Sequence, residues 1–209
     1  MYNDITCFIL AGGKSTRMGT NKSLLRIGGI TIIERVVNLM KGLFQDVLLI
    51  TNQTEEFSFL KIMMLEDIHK NTGPLAGIHS ALVDTKTEKN FIISCDMPLM
   101  TGEVIKYLVD YPTERPITIA RADNFIQQLC GVYYKSLVPF IESIIESNKK
   151  GADERNPEQS KRGCSVLELV KNVPAEIIDI EKEFSDYKPG TFYNMNRPEE
   201  FNYIKDILS

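Results

Sequence analysis

The chain has 209 residues, of which 43% are hydrophobic, 25% charged and 9% aromatic, and its formal net charge is −4 at pH 7. This composition is typical of a globular domain, and the negative charge argues against a broad nucleic-acid surface. No apolar run approaches the roughly 18 residues of a membrane-spanning helix. Four cysteines without a C-x-x-C pair and two histidines argue against a zinc site or a disulfide scaffold. Since the N-terminus lacks an export signal, we expect a cytoplasmic protein that binds neither nucleic acid nor a membrane.

Buried-strand and amphipathic-helix patterns alternate through the first half of the chain. Short, continuously apolar runs indicate strands covered on both faces, at Ile5–Leu10, Val47–Thr51, Ile62–Leu65 and Phe91–Cys95. Helical spacing of apolar residues follows the first strand along Ile32–Met40 and follows the third after Gly73-Pro74. Three strand–helix units of this kind predict a three-layer α/β fold, with a doubly wound, mostly parallel, Rossmann-like sheet.

The second half has a stronger strand signal. Strands are predicted at Ile117–Ala120 and Leu129–Tyr134, and helices after Thr101 and Ser136. We expect some antiparallel pairing in this half. Because no internal repeat or linker is visible, residues 1–209 are predicted to form a single domain.

A polar segment, Lys149–Arg162, is predicted to be an exposed loop because half of it is charged. Arg155, Lys161 and Arg162 could close over an anionic acceptor, so a lid remains an alternative to a solvated loop.

The residues after the first predicted strand, LAGGKSTRMGTNK over Leu10–Lys22, carry the most functional information. Glycines let the backbone approach a ligand closely, and exposed N–H groups in such a loop can bind phosphate oxygens. Three cations add positive charge at the carboxyl end of the strand: Lys14, Arg17 and Lys22. The loop is not a P-loop, which would need glycine at Phe8, and the adjacent Gly12 and Gly13 do not fit G-x-G-x-x-G. The pattern favours an anionic ligand over a plain basic turn.

This signature, L-A-G-G-x-S-x-R-M-G-x-x-K, resembles that of the nucleotidyltransferases with a Rossmann-like fold. Three later motifs make the chain most similar to the molybdenum cofactor guanylyltransferase (MobA) family. They are G-P-L-A-G at Gly73–Gly77, C-D-M-P at Cys95–Pro98 and N-M-N-R-P-E-E at Asn194–Glu200. The four motifs stand in the family's order and together extend over nearly the whole chain.

The resemblance implies catalytic roles for Arg17, Lys22 and Asp96. Nucleotidyl transfer gathers four or more negative charges, so catalysis depends on positioning and charge neutralisation. Arg17 and Lys22 would neutralise the triphosphate. Asp96 follows the strand Phe91–Cys95 and would bind Mg²⁺, which needs only one or two carboxylates; taken without the family, a turn-forming aspartate before Met-Pro is an equal alternative.

The resemblance further implies contacts to GTP at Leu10, Ala11, Gly12, Gly13, Lys22, Asn52, Asp67, Gly73, Pro74, Leu75 and Asp96. Asp67 would lie near the ribose or the base, although it could simply be a loop carboxylate, and Asn52 could likewise be an ordinary loop residue. His79 lies beside the apolar stripe of the helix after Gly73-Pro74, so we expect a packed or partly exposed histidine and not a catalytic one.

Near the C-terminus, Asn194 and Asn196 follow the strand-like Thr191–Tyr193 and would, by resemblance, face the pterin acceptor. Their alternative roles are a helix cap and a turn. The family usually has threonine where this chain has Arg197, so Asn196 is predicted to cap the last helix in a capping box with Glu199. The apolar side of that helix carries Phe201, Ile204 and Leu208.

Taken together, the resemblance implies a Mg²⁺-dependent transferase that moves GMP from GTP to the terminal phosphate of Mo-molybdopterin. Upstream molybdenum-insertion proteins and apo-molybdoenzymes are the partners it suggests. Three alternatives stay open: a molybdopterin cytidylyltransferase, a nucleotidyltransferase for a sugar or alcohol phosphate, and a nucleotide-binding adaptor without turnover.

Overall fold

The computed structural model describes residues 1–12, 21–70, 72–150, 165–195 and 198–208. Within these ranges nine strands and seven α-helices follow one another along the chain. The strands are β1 (Tyr2–Leu10), β2 (Arg26–Ile27), β3 (Ile30–Thr31), β4 (Phe44–Ile50), β5 (Met63–Leu65), β6 (Lys89–Ser94), β7 (Ile117–Ala122), β8 (Phe125–Tyr134) and β9 (Ala175–Asp179). The helices are α1 (Ile32–Leu43), α2 (Pro74–Asp84), α3 (Gly102–Asp110), α4 (Val138–Lys150), α5 (Val166–Asn172), α6 (Ile180–Glu183) and α7 (Pro198–Leu208). Short 3₁₀ turns cover Lys22–Leu24, Ser58–Leu60 and Lys135–Leu137.

Seven of the strands form one sheet in the order β5-β4-β1-β6-β8-β7-β9, and β2 pairs with β3 in a separate ribbon. β5, β4, β1 and β6 pair in parallel, and β9 is parallel to β7. β8 runs antiparallel to both of its neighbours. The structure therefore confirms the predicted mostly parallel sheet with antiparallel pairing in the second half. In the centre of the sheet, Leu10 lies opposite both Ile50 and Ser94, so the carboxyl ends of β1, β4 and β6 are level.

Alternate side chains of β1 pack into two cores, one on each face of the sheet, because successive side chains of a strand point in opposite directions. Ile5, Cys7 and Ile9 pack in the core that includes α1 and α3. Phe8 and Leu10 pack in the core that includes α2, α4 and α5. Two helical layers thus enclose the sheet, as predicted.

The start of α1 is fixed by a capping box. The Thr31 side chain accepts a hydrogen bond from the Glu34 N–H at 3.2 Å, and the Glu34 carboxylate accepts one from the Thr31 N–H at 2.7 Å. Such reciprocal bonds satisfy two of the N–H groups that a helix N-terminus leaves without partners. The cap holds the helix so that its apolar side, including Val36 and Met40, faces the sheet.

One predicted strand and one predicted loop boundary are wrong. Thr191–Tyr193 is a turn and not a strand, with hydrogen bonds from Thr191 N–H to Lys188 C=O and from Tyr193 N–H to Gly190 C=O. The apolar character of this segment has another cause, since Phe192 is buried in the core from a turn. The predicted loop at Lys149–Arg162 also begins too early, since α4 continues through Lys150.

The last helix is anchored by a third, smaller core. Ile204 is fully buried and packs with Ile27 and Met195, while Phe201 and Leu208 are half-buried against the same cluster. The apolar side predicted for this helix is the side that packs.

Some predictions lie outside the described residues. These include the capping box, because its cap residue Asn196 is not described, and the lid cations Arg155, Lys161 and Arg162. Among the described residues, no helix combines the length and the apolar character that crossing a membrane requires.

Candidate active site

The site is built where three parallel strands end at the same level. Beyond the last paired residues, the backbone continues the ladder: the Ala11 N–H donates to Ile50 C=O at 2.9 Å, and the Cys95 N–H donates to Leu10 C=O at 3.0 Å. These bonds fix the first residues of the loops that follow β1 and β6. Ala11 is buried and Gly12 is exposed, with open space where a Cβ would stand.

Asp96 lies two residues beyond the end of β6, and both oxygens of its carboxylate accept hydrogen bonds. Its Oδ2 is 2.5 Å from Nζ of Lys22, and its Oδ1 accepts the hydroxyl of Ser94 at 2.5 Å. The Asp96 and Lys22 side chains are only 13% and 21% exposed. The structure thus brings together two predicted catalytic residues that stand 74 positions apart in the chain.

Lys22 is held in place by a local cap. It begins the 3₁₀ turn Lys22–Leu24, and the Asn21 side-chain oxygen accepts hydrogen bonds from the N–H and the hydroxyl of Ser23. The Asn21 amide in turn donates to a carboxylate oxygen of Glu56 at 2.8 Å. Because asparagine caps the first free N–H groups of a helical turn, this residue fixes the direction in which the lysine leaves the backbone.

Asn52 and Asp67, both predicted to contact nucleotide, bind each other. The Asn52 amide donates to Asp67 Oδ2 at 2.8 Å, and its oxygen accepts from the Asp67 N–H at 3.1 Å. Asp67 Oδ1 is buried and has no hydrogen-bond partner among the described residues. Burial raises the pKa of the Asp67 carboxyl above its usual value. A cleft of about 650 Å³ opens beside this pair, lined by Asn52 and residues 53–56.

The helix α2 begins next to this pair. Gly73 has φ of 96°, a conformation that favours glycine, and Pro74 takes the first helical position, where a missing N–H costs little. Gly73 and Pro74 are exposed and Leu75 is buried. A Cβ on Gly77 would stand 3.6 Å from Asp67 Oδ1 and 3.3 Å from a Leu10 methyl, so α2 packs closely against both predicted nucleotide segments.

The C-terminal segment reaches the same edge. The Met195 N–H donates to the Asp96 C=O at 3.0 Å, which places the half-buried Asn194 one residue from Asp96's backbone partner. The remaining predicted site residues, Gly13, Arg17 and Asn196, lie outside the described residues, as does Lys14.

Two other side chains behave as expected for packed groups. His79 is 3% exposed, with Nε2 3.3 Å from a Glu142 carboxylate oxygen. Cys95 is buried, and its burial together with the neighbouring Asp96 raises the pKa of its thiol to about 12. A thiol of this kind is not ionised near neutral pH, so it is a poor nucleophile.

Two contacts at this site were not predicted from the sequence: that of Ser94 with Asp96 and that of Asn21 with Ser23. The sequence does contain a signal for Ser94: it is a hydroxyl residue two positions before Asp96 at a strand end, and residues two apart on a strand share a face. For Asn21 the only signal is an asparagine directly before the lysine.

Asp96 is the one carboxylate that the predicted metal site would offer to a metal ion. In the part of the chain that the structure describes, no group of three or more histidine, cysteine, aspartate or glutamate side chains could hold a metal ion. A single carboxylate with oxygen donors fits Mg²⁺, which retains water and also binds phosphate oxygens of a substrate. It does not fit a transition-metal centre built from protein ligands alone.

Solved structures share the architecture of this chain. Molybdopterin-guanine dinucleotide biosynthesis protein A from Archaeoglobus fulgidus superposes with a TM-score of 0.77 at 22% identity, covering 97% of this chain and 98% of that one. A 2-C-methyl-D-erythritol 4-phosphate cytidylyltransferase from Thermus thermophilus reaches 0.64 at 12% identity, with 98% of both chains covered. At these identities the likeness shows the fold alone.

The profile of the MobA-like NTP transferase domain matches residues 7–158, and the chain belongs to that family. Relatives of similar length are the probable molybdenum cofactor guanylyltransferases of Carboxydothermus hydrogenoformans and Aquifex aeolicus. The first is 32% identical over 209 residues, covering 99% of this chain and 98% of the relative. The second is 34% identical over 202 residues, covering 97% and 90%.

Proposed function

We propose that the protein transfers GMP from GTP to the terminal phosphate of Mo-molybdopterin, forming the guanine dinucleotide form of the cofactor and pyrophosphate. The observation that carries this proposal is the Lys22–Asp96 ion pair at the level carboxyl ends of β1, β4 and β6. Ligands of doubly wound sheets bind at this edge. Relatives named for this activity align with nearly the entire chain, which supports the choice of GTP and molybdopterin as substrates.

The reaction needs no covalent enzyme intermediate. An oxygen of the acceptor phosphate attacks the α-phosphorus of GTP, and the bond from that phosphorus to the pyrophosphate oxygen breaks. Lys22 would bind triphosphate oxygens and offset the negative charge that builds up, and we propose the same for Arg17. Since both substrates are anionic, holding them in line and neutralising their charge is the main contribution of the protein.

Asp96 is the residue that would hold Mg²⁺. An ion held by Asp96 would supply neutralisation of the negative charge of the substrates. Asp96 suits this role because its backbone and both carboxylate oxygens are fixed by hydrogen bonds within the fold.

The guanosine part would lie between the β1 loop and α2. We propose contacts from Leu10–Gly13, from Asn52 and from Gly73–Leu75. We also propose that Asp67, which is hydrogen-bonded to Asn52, lies near the ribose or the base.

The acceptor would lie beside Asp96 on the side of the C-terminal segment, with Asn194 and Asn196 as its contacts. The hydrogen bond from the Met195 N–H to the Asp96 C=O supports this proposal, since it brings the segment next to Asp96.

The compartment, the domain organisation and the partners are further parts of the proposal. We propose that the protein works in the reducing cytoplasm, which the buried free thiols of Cys7 and Cys130 support. We further propose that residues 1–209 are one domain, that upstream molybdenum-insertion proteins deliver the acceptor, and that apo-molybdoenzymes receive the product.

Product analysis tests the proposal. With GTP, Mg²⁺ and Mo-molybdopterin, we expect one pyrophosphate released for each guanine dinucleotide cofactor identified by mass spectrometry. Asp96→Asn should abolish most of this turnover while the protein stays folded. Asp123→Asn is the matched control: Asp123 is an exposed carboxylate in a β7–β8 turn with φ of 51°, which asparagine tolerates, and its turnover should be unchanged. GTP binding without turnover in the unmodified protein would favour an adaptor.

A further inference from the structure

Ser94 is the last residue of β6, and it reaches the carboxylate on which the proposed reaction depends. Its hydroxyl donates to Asp96 Oδ1 at 2.5 Å, while Lys22 binds Oδ2 at 2.5 Å. We propose that Ser94 is a positioning residue that holds the Asp96 carboxylate in the orientation needed to bind the divalent metal ion. This inference rests on the proposed function.

The backbone of Ser94 is paired within the sheet. The residue is 9% exposed and lies opposite Leu10 in the ladder between β6 and the central strand β1. The next residue, Cys95, extends that ladder through its own N–H. A short side chain on such a backbone has few conformations, so its hydroxyl gives Asp96 a fixed reference point.

Lys22 cannot supply the same fixed contact during turnover. Its ammonium sits on a flexible four-carbon stem, and in the proposed reaction it turns from Asp96 to the triphosphate. Once Lys22 moves, Ser94 is the side chain in the described part of the site that still bonds the carboxylate. Its bond leaves Oδ2 available for the metal ion and prevents rotation of the carboxylate away from the phosphates.

Hydrogen-bond partners of metal ligands typically account for 10–100-fold in metal affinity or activity. We therefore expect Ser94→Ala to weaken metal binding by about tenfold. Ser94→Thr should restore it, since threonine keeps the hydroxyl and suits a strand position. GTP binding measured without a divalent ion should change less than twofold in either variant, because the Ser94 hydroxyl bonds Asp96, whereas its pairing with Leu10 is made by the backbone, which neither variant changes.

The matched control removes a buried hydroxyl at the other end of the same strand pair. Thr6 of β1 is 5% exposed, pairs with Asn90 of β6 and accepts a hydrogen bond from the Thr87 hydroxyl at 2.9 Å. Thr6→Val should lower the melting temperature at least as much as Ser94→Ala does. If Ser94 only stabilises the fold, Thr6→Val should weaken metal binding as much as Ser94→Ala does. If Ser94 positions Asp96, Ser94→Ala should weaken metal binding and Thr6→Val should not.

The experiment measures Mn²⁺ binding by electron paramagnetic resonance, using the full chain saturated with a non-hydrolysable GTP analogue. The proposal requires about tenfold weaker Mn²⁺ binding in Ser94→Ala, recovery in Ser94→Thr and no change in Thr6→Val. Unchanged Mn²⁺ affinity in Ser94→Ala, with the affinity lost in Asp96→Asn, would overturn the role of Ser94 and leave the proposed function intact. If Asp96→Asn also binds Mn²⁺ normally, the metal site of the proposed function is wrong as well.

Discussion

Replacing Lys22 by methionine tests whether its ion pair with Asp96 belongs to the reaction or only to the fold. Methionine keeps the length and the apolar stem but removes the ammonium. The two side chains are 21% and 13% exposed, so the pair falls between exposed pairs, worth about 0–1 kcal/mol, and buried pairs, whose disruption costs about 3–5 kcal/mol. We expect the free energy of unfolding to fall by about 2 kcal/mol, which lowers Tm by about 4–8 °C in a chain of this size.

The loss of activity should be far larger than the loss of stability accounts for. Removing one group that stabilises transition-state charge typically costs about 10²–10³ in kcat. Turnover is measured by pyrophosphate release at a temperature well below the new Tm, so that the variant is folded. Lys182→Met is the matched control: its Nζ is also 2.5 Å from a carboxylate, that of Asp179, but the side chain is 80% exposed. We expect it to change neither Tm nor turnover. A Lys22→Met variant with kcat within twofold of the unmodified protein would refute the assignment of Lys22.

Three further predictions concern the fold around the site. Gly131→Ala should destabilise the protein by about 3 kcal/mol in urea unfolding, because the new Cβ would stand 2.3 Å from the Thr118 C=O; an unchanged midpoint would contradict this. The raised pKa of Asp67 means that its stabilising contribution is present at low pH and is lost as the pH rises through that pKa. Asp67→Asn should therefore gain stability relative to the unmodified protein as the pH rises above the ordinary aspartate pKa of about 3.9, and a pH-independent difference in unfolding free energy would contradict this expectation. Because the pKa of Cys95 is raised to about 12, iodoacetamide at about pH 8 should alkylate this thiol in urea but not in the native protein, and rapid native labelling detected by peptide mass spectrometry would show that the thiol is accessible.

Apolar patterning predicted the central strands well because they are buried on both faces. Phe91–Cys95 differs from β6 by two residues at its start and one at its end. The edge strand β9 was not predicted, since only Ile178 within Ala175–Asp179 is fully buried and its pattern is diluted by acidic residues. A strand was wrongly predicted at Thr191–Tyr193, because a buried aromatic residue in a turn produces the same apolar pattern as a short strand.

The site was predictable as a set of segments and not as a set of contacts. The rule that ligands bind at the carboxyl ends of parallel strands correctly brought Lys22 and Asp96 to one edge. Two contacts depend on side-chain conformations that no sequence pattern specifies: the hydrogen bond from Ser94 to Asp96 and the one from Asn52 to Asp67. These contacts could be recognised only once the strand ends and loops had been placed.

Nucleotide selectivity, measured in a single assay, is the strongest test of the proposed guanylyltransferase activity. Pyrophosphate release is measured with GTP, CTP, ATP and UTP in turn, in the presence of Mg²⁺ and Mo-molybdopterin. We expect turnover that is selective for GTP and that is lost in Asp96→Asn. A preference for CTP would contradict the guanylyltransferase assignment while keeping the fold and mechanism, and tight binding without turnover for every nucleotide would contradict the transferase itself.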